Sequence, residues 1–252
     1  MKNFIFIIWV VMTGFPVIAQ PFIHSHNDYE QANPLTHAVD NKAFSIEADV
    51  YLTSLGLVVT HELQEIQKGI STAPTLDSLY LQPIIRFFKK YHGRISKDKS
   101  YTPVLMIDIK EKGPAVIAAL IKLVATYPFV FDRSVNPLAV QLVVSGDRGP
   151  ASVWSTYPSF ILFDGRPFEL YDSAALSRVG FISDVYFKYV TKTDSSSKIE
   201  QVVKKVHEMG KLLRLWAIPD HAVSWGLLQR LGVDIINTDK VKECKDYFLK
   251  PK

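Results

Sequence analysis

The chain has 252 residues, 48% hydrophobic and 21% charged, with 12 glycines and 14 prolines. This is globular composition and excludes a disordered or low-complexity chain. The single cysteine, Cys244, excludes an internal disulfide framework and a thiolate zinc cluster. The formal net charge of +4 is small and dispersed, with no basic run interleaved with aromatics, which argues against a nucleic-acid partner.

The amino terminus has the layout of an export signal. Lys2 precedes an uncharged apolar run from Phe4 to Met12, Gly14 and Pro16 break it, and Ala19 places a small residue before Gln20. Residues 1–19 are therefore expected to be a cleaved signal peptide. The competing reading, a membrane anchor over about 20 uncharged residues, is disfavoured by the same Gly14 and Pro16. A secreted or periplasmic protein of a bacterial envelope follows, with no stable transmembrane anchor after cleavage, and with residues 20–252 as one domain.

Along that domain, short runs rich in Ile, Val, Leu and Phe predict strands over residues 21–26, 45–52, 104–110, 139–145, 160–163, 180–185, 212–217 and 234–236. Several are nearly continuous in apolar character, as buried parallel strands are. Helical patterns lie between them, over residues 33–41, 75–91, 114–126, 195–209, 220–231 and 238–247. Pro114 opens one at the first helical position, and Gly210 and Gly232 close two others. Eight strands alternating with helices predict an α/β fold of the (β/α)8 TIM-barrel type. A doubly wound open sheet is the alternative. The fifth unit is weak, because the turn signal Asp164-Gly165-Arg166-Pro167 leads into only a short helical stretch.

In such a barrel, chemistry collects at the carboxyl ends of the strands. The first strand end delivers His24 and His26, followed by Asn27. The second delivers Glu47 and Asp49, and a short extended run over residues 57–60 delivers His61. The third delivers Asp108 and Lys110, and the seventh Trp216. Strand side chains alternate, so each pair two residues apart projects to one face. Glu47 and Asp49 stand within a run of strand formers. Burying carboxylates without partners is costly, so a bound cation is expected there. Three carboxylates make an oxygen-rich set suited to one divalent cation, Mg²⁺ or Ca²⁺. Two histidines at the same mouth suit general acid–base work, and Lys110 suits an anionic group. Taken singly, each feature has a plainer reading: Asp164 as part of a turn, Ser145-Gly146-Asp147 as another turn, and Trp216 as core.

In combination, the blocks His24-Ser25-His26-Asn27-Asp28-Tyr29, Ser45–Val50, Val58-Val59-Thr60-His61, Met106–Lys110 and Gly232–Asp239 resemble the glycerophosphodiester phosphodiesterase and phosphoinositide phospholipase C-like superfamily. The branch that opens with His-Ser-His-Asn-Asp-Tyr looks nearest. The resemblance implies a distorted barrel holding a divalent cation on Glu47, Asp49 and Asp108. It also implies acid–base catalysis by His61 and one histidine of the first strand, His26 or His24, of which His26 is favoured. Asn27, Lys110 and Trp216 are the expected substrate contacts. Asn27 stands where the superfamily's usual opening has a phosphate-contacting arginine, and Asp108 where many members have glutamate. The implied activity is phosphodiester hydrolysis on a small phosphodiester or a lipid headgroup. The alternatives are transfer within the substrate to give a cyclic phosphate, or a non-catalytic barrel that binds a phosphorylated ligand.

Overall fold

The computed structural model describes residues 20–62, 73–190 and 196–250. The expected signal peptide, residues 1–19, lies outside them. The chain forms β1 (Phe22–Ser25), α1 (Thr36–Asp40), β2 (Ser45–Thr53), β3 (Gly56–Val59), α2 (Gln82–Lys90), β4 (Val104–Ile109), α3 (Gly113–Val124), α4 (Pro128–Phe131), β5 (Gln141–Gly146) and β6 (Ile161–Gly165). It continues through α5 (Ser173–Ser177), β7 (Val179–Val185), α6 (Ser196–Glu208), β8 (Leu213–Trp216), α7 (Ala222–Arg230), β9 (Ile235–Thr238) and α8 (Val241–Leu249).

Each of the eight predicted strands is present, and all eight run parallel. β1 pairs with β9 on one side and with β2 on the other, which closes the sheet into a barrel. That closure excludes the open doubly wound alternative. β3 stands outside the ring, antiparallel to β2 with Val50 opposite Val59, and carries the chain back to the mouth at His61.

The helices differ more from expectation. The first is a single turn and a half, Thr36–Asp40, and the second begins as a π-helical turn over Asp77–Leu81 before α2. Gly210 (φ +67°) and Gly232 (φ +82°) terminate α6 and α7 in the left-handed region, as their placement predicted. The fifth unit is irregular as expected: α5 has five residues, and the β6–β7 register shifts between Phe163 and Asp164.

The period of two divides every strand between two environments. Outward residues such as Ile46, Ala48, Ile107, Val144, Phe163 and Leu215 pack beneath the helices in one large cluster. Inward residues begin as a separate apolar plug of Val104, Met106, Val143, Phe181 and Ile235. One step further along each strand the interior turns polar: His24, Glu47, Ser145, Asp164, Ser183, Arg214 and Asn237 are all buried there. This polar layer is the floor of the barrel mouth. Gly146, at the end of β5, has φ +69°, and a Cβ there would lie 2.2 Å from the Ile109 carbonyl oxygen and 2.9 Å from Asp108 Oδ1. Glycine at this position leaves room for the Asp108 carboxylate.

Candidate active site

The mouth of the barrel opens into a cleft of about 350 Å³ lined by His26, Asn27, Glu47, His61, Asp108, Lys110, Ser145, Gly146, Arg166, Arg214 and Trp216. Glu47 and Asp49 come from alternate positions of β2, and Asp108 lies beside Asp49 on β4 in the parallel register. One carboxylate oxygen from each of the three lies within 4.8 Å of the others. Asp49 is wholly buried, and its two oxygens are treated unequally. Oδ2 accepts from the Tyr29 hydroxyl (2.9 Å), from His61 Nδ1 (2.9 Å) and from Lys110 Nζ (2.6 Å). Oδ1 is buried with no hydrogen-bond partner. An orphaned carboxylate oxygen beside two further carboxylates is the donor set a hard cation requires, so the residues present fit a divalent ion.

The charges here perturb one another. Burial pushes the Asp108 carboxyl upward, as does the charge of Glu47, while Lys110 at 2.6 Å pulls it back only in part. Burial alone would lower the Lys110 pKa, but Asp108 and Asp49 outweigh it and hold the ammonium above its ordinary value, hence charged.

The two first-strand histidines share a face but not a depth. His26 is half-buried at the mouth, with Nδ1 2.7 Å from Asp239 Oδ1 at the end of β9. Burial depresses its pKa, but the Asp239 hydrogen bond and the Glu47 charge prevail, so the net shift is upward. His24 sits one layer lower with no exposed surface. Its Nε2 lies 2.7 Å from Glu47 Oε2 and 2.6 Å from Arg214 Nη1, and its Nδ1 has no partner. Desolvation first, and then the Arg214 charge, push its pKa far down, so the ring is neutral. Nε2 can serve only one of these neighbours at a time, donating to Glu47 when protonated or accepting from Arg214 when not, and Nδ1 is unpartnered in either tautomer. The expectation that His24 also reaches the mouth is therefore corrected. It is a support beneath Glu47, because the residue two positions before a mouth residue falls one layer deeper in the barrel.

Arg214, from the middle of the apolar run Leu212–Trp216, was not anticipated. It is 4% exposed. Nε donates to Ser183 Oγ (2.9 Å), Nη1 to Asn237 Oδ1 (3.1 Å), and Nη2 lies 3.5 Å from Asp164 Oδ2. Asp164, read from sequence as part of a turn, is instead a wholly buried residue of β6. It accepts from Ser145 Oγ and from Arg166 Nη1, each at 2.9 Å. Burial raises its pKa, but Arg166 and Arg214 together hold it below the usual carboxylate range. Ser145 and Gly146 likewise belong to β5, not to a turn, and Asp147 Oδ2 receives the amide of Gly113 at the start of α3. The interior signal in the sequence was a charged residue inside an apolar strand, the same signal that singled out Glu47 and Asp49.

The remaining expected contacts also face the cleft. Asn27 holds a left-handed backbone (φ 44°) just after β1, Lys110 bridges Asp49 and Asp108, and Trp216 is 39% exposed at the end of β8. The arginine missing after His26 has no replacement on β1. Arg166 and Arg214 bring guanidinium groups into the cleft from β6 and β8.

Residues 16–129 match the AIM6-like phosphodiesterase domain family. A protein of Arthroderma benhamiae named altered inheritance of mitochondria protein 6 homolog is 28% identical, over 90% of this chain and 83% of its own length. The altered inheritance of mitochondria protein 6 of Kluyveromyces lactis is 24% identical over 90% of this chain and 72% of its own. Among solved structures, a glycerophosphodiester phosphodiesterase from Parabacteroides distasonis superposes with a TM-score of 0.58 at 15% identity, covering 90% of this chain and 96% of that one. A putative glycerophosphoryl diester phosphodiesterase from Agrobacterium tumefaciens gives 0.52 at 13% identity, covering 91% and 98%. The chain is thus similar to the AIM6-like phosphodiesterase domain family over residues 16–129, and its closed parallel barrel is the fold shared with these glycerophosphodiester phosphodiesterase structures.

Proposed function

We propose that this chain is an exported, divalent-metal-dependent phosphodiesterase that hydrolyses a small phosphodiester or a phospholipid-headgroup phosphodiester. The observation that carries the reading is the orphaned Asp49 Oδ1 within the Glu47–Asp49–Asp108 triad, flanked by His26 and His61 in one cleft. Those three carboxylates would hold the cation. When bound, it supplies positive charge for the phosphoryl oxygens as negative charge builds on them.

The chain's own residues supply the rest. His61 donates Nδ1–H to Asp49, which leaves its Nε2 lone pair to accept a proton from an attacking water as the new P–O bond forms. His26, its Nδ1 held by Asp239 and its pKa raised by that hydrogen bond and the Glu47 charge, is the group placed to donate a proton to the leaving oxygen as the old P–O bond breaks. Lys110 and Arg166 offer positive charge to the non-bridging oxygens. Export rests on the pattern of residues 1–19.

Purified protein is expected to hydrolyse bis(p-nitrophenyl) phosphate and glycerophosphodiesters, to stop in EDTA, and to recover with added Mg²⁺, Ca²⁺ or Mn²⁺. Glu47→Gln should cut kcat/KM by about 10³-fold, since loss of metal charge stabilisation is worth several kcal/mol. Phosphodiester binding by calorimetry without turnover under any of these ions would overturn the enzyme reading in favour of a ligand-binding barrel. Phosphorus NMR of the products reads hydrolysis against cyclic phosphate formation.

The Asp239 contact sets a pH dependence. Asp239 stabilises the protonated ring, so Asp239→Asn should lower the His26 pKa. If His26 donates its proton in the reaction, the alkaline limb of the kcat–pH profile should move to lower pH in that variant. An unmoved limb would remove His26 from the acid role.

A further inference from the structure

A second, larger cavity of about 500 Å³ lies beside the cleft, lined by Phe168, Lys188, Tyr189, Lys198, Gln201, Val202 and Lys205. It is built by the loops that follow β6 and β7 and by one face of α6, where Lys198, Gln201 and Lys205 recur at helical spacing. Arg166 lines the cleft, and Phe168, two residues further along the segment that leaves the carboxyl end of β6, stands on the rim of this cavity.

That rim is unusual in its exposed side chains. Phe168 is 67% exposed, Leu170 96% and Phe187 64%. Single exposed apolar residues are ordinary, but here three stand on adjacent loops among lysines. Lys205 Nζ lies 5.2 Å from the centre of the Phe168 ring. Lys188 is paired with Asp184 at 2.6 Å, whereas among the described residues Lys198 and Lys205 have no acidic partner. The nearby Glu169 is engaged by Arg148, so it does not offset those lysines.

We infer that this rim docks the barrel on an anionic phospholipid surface, with Phe168, Leu170 and Phe187 entering the headgroup region and Lys198 and Lys205 meeting lipid phosphates. Charge complementarity selects this occupant. Apolar tips raised on separate loops and interleaved with lysines match a charged, deformable interface, in the manner of interfacial anchors. The segments that carry Phe168, Leu170 and Phe187 leave the carboxyl ends of β6 and β7, the same face of the parallel barrel that holds the cleft, so docking through them brings that face to the bilayer. It extends the proposed function by naming where the substrate is met, while the docking itself does not depend on turnover.

The test is sedimentation of the full chain with sucrose-loaded vesicles of phosphatidylcholine alone, or with 30% phosphatidylglycerol added, without turnover. Wild type and variants share residues 1–19, so any contribution of that apolar run cancels in their ratio. Binding is expected to favour the anionic vesicles and to weaken with salt. Lys198→Gln/Lys205→Gln should lose about 30-fold in partition, from about 1 kcal/mol per lysine at a charged surface. Phe168→Ser/Leu170→Ser should lose about tenfold. Hydrolysis of bis(p-nitrophenyl) phosphate in solution should stay at the wild-type rate in both variants; if wild type shows no hydrolysis, the partition data still stand on their own. Equal binding to neutral and anionic vesicles, or unchanged partition in both variants, overturns the inference. So does a dimer in solution that these substitutions dissociate, which would make the rim a protein interface.

Discussion

His26→Gln is expected to lower kcat by about 10²–10⁴-fold, the range typical of losing a positioned proton donor. The loss should depend on the leaving group. p-Nitrophenolate departs readily without a proton, whereas the alkoxide of a glycerophosphodiester does not, so the defect should be larger on the glycerophosphodiester. That contrast separates a proton donor from a residue that merely shapes the cleft, whose loss would slow both substrates alike. His24 provides the internal comparison. It has no exposed surface and supports Glu47 through Nε2. His24→Asn should therefore act on metal affinity, by about 10–100-fold as for other supports of ligating groups, and should show no leaving-group dependence. Equal defects on the two substrates for His26→Gln would take it out of the acid role.

Arg214→Met is expected to destabilise the fold by about 3–5 kcal/mol, the cost of breaking a buried charge network by removing one partner. The guanidinium joins Ser183 on β7, Asn237 on β9, Asp164 on β6 and the His24–Glu47 pair of β1 and β2. Without it, the Asp164 carboxylate keeps Arg166 and Ser145 but loses its buried counter-charge, and Asn237 Oδ1 loses its donor. Methionine fills much of the same volume, so the loss would be electrostatic more than cavity formation. Urea unfolding should show a lower midpoint with an unchanged slope. A change under about 1 kcal/mol would show that the interior polar layer does not depend on this residue. Arg214→Lys should fall between wild type and Arg214→Met, because an ammonium cannot reproduce the planar fork that serves partners on several strands at once.

Much of the architecture was legible in the sequence. Strands buried on both faces must be apolar at nearly every position, so β2, β4, β5, β7 and β8 stood out as short Val, Ile and Leu runs. The glycines after α6 and α7 marked their ends, because only a residue without Cβ turns readily into the left-handed region. Alternation placed Glu47 with Asp49 on one face. The α1 segment was overestimated, since Asn33-Pro34-Leu35 forms the approach to a short helix instead of its first turn. In the fifth unit, a turn-like composition concealed that Asp164 and Gly165 belong to a strand.

By itself, then, the sequence determined the alternation of strands and helices, the side of each strand that carries polar groups, and the pairing of Glu47 with Asp49, because these follow from periodicity along a single segment. Only the tertiary structure decided that β1 meets both β9 and β2, that His26 rather than His24 reaches the mouth, and that Arg214, Asp164 and Asp239 serve groups on distant strands. Those outcomes depend on depth within the barrel and on which strands become neighbours. Both are set by closure of the sheet, which no local pattern encodes.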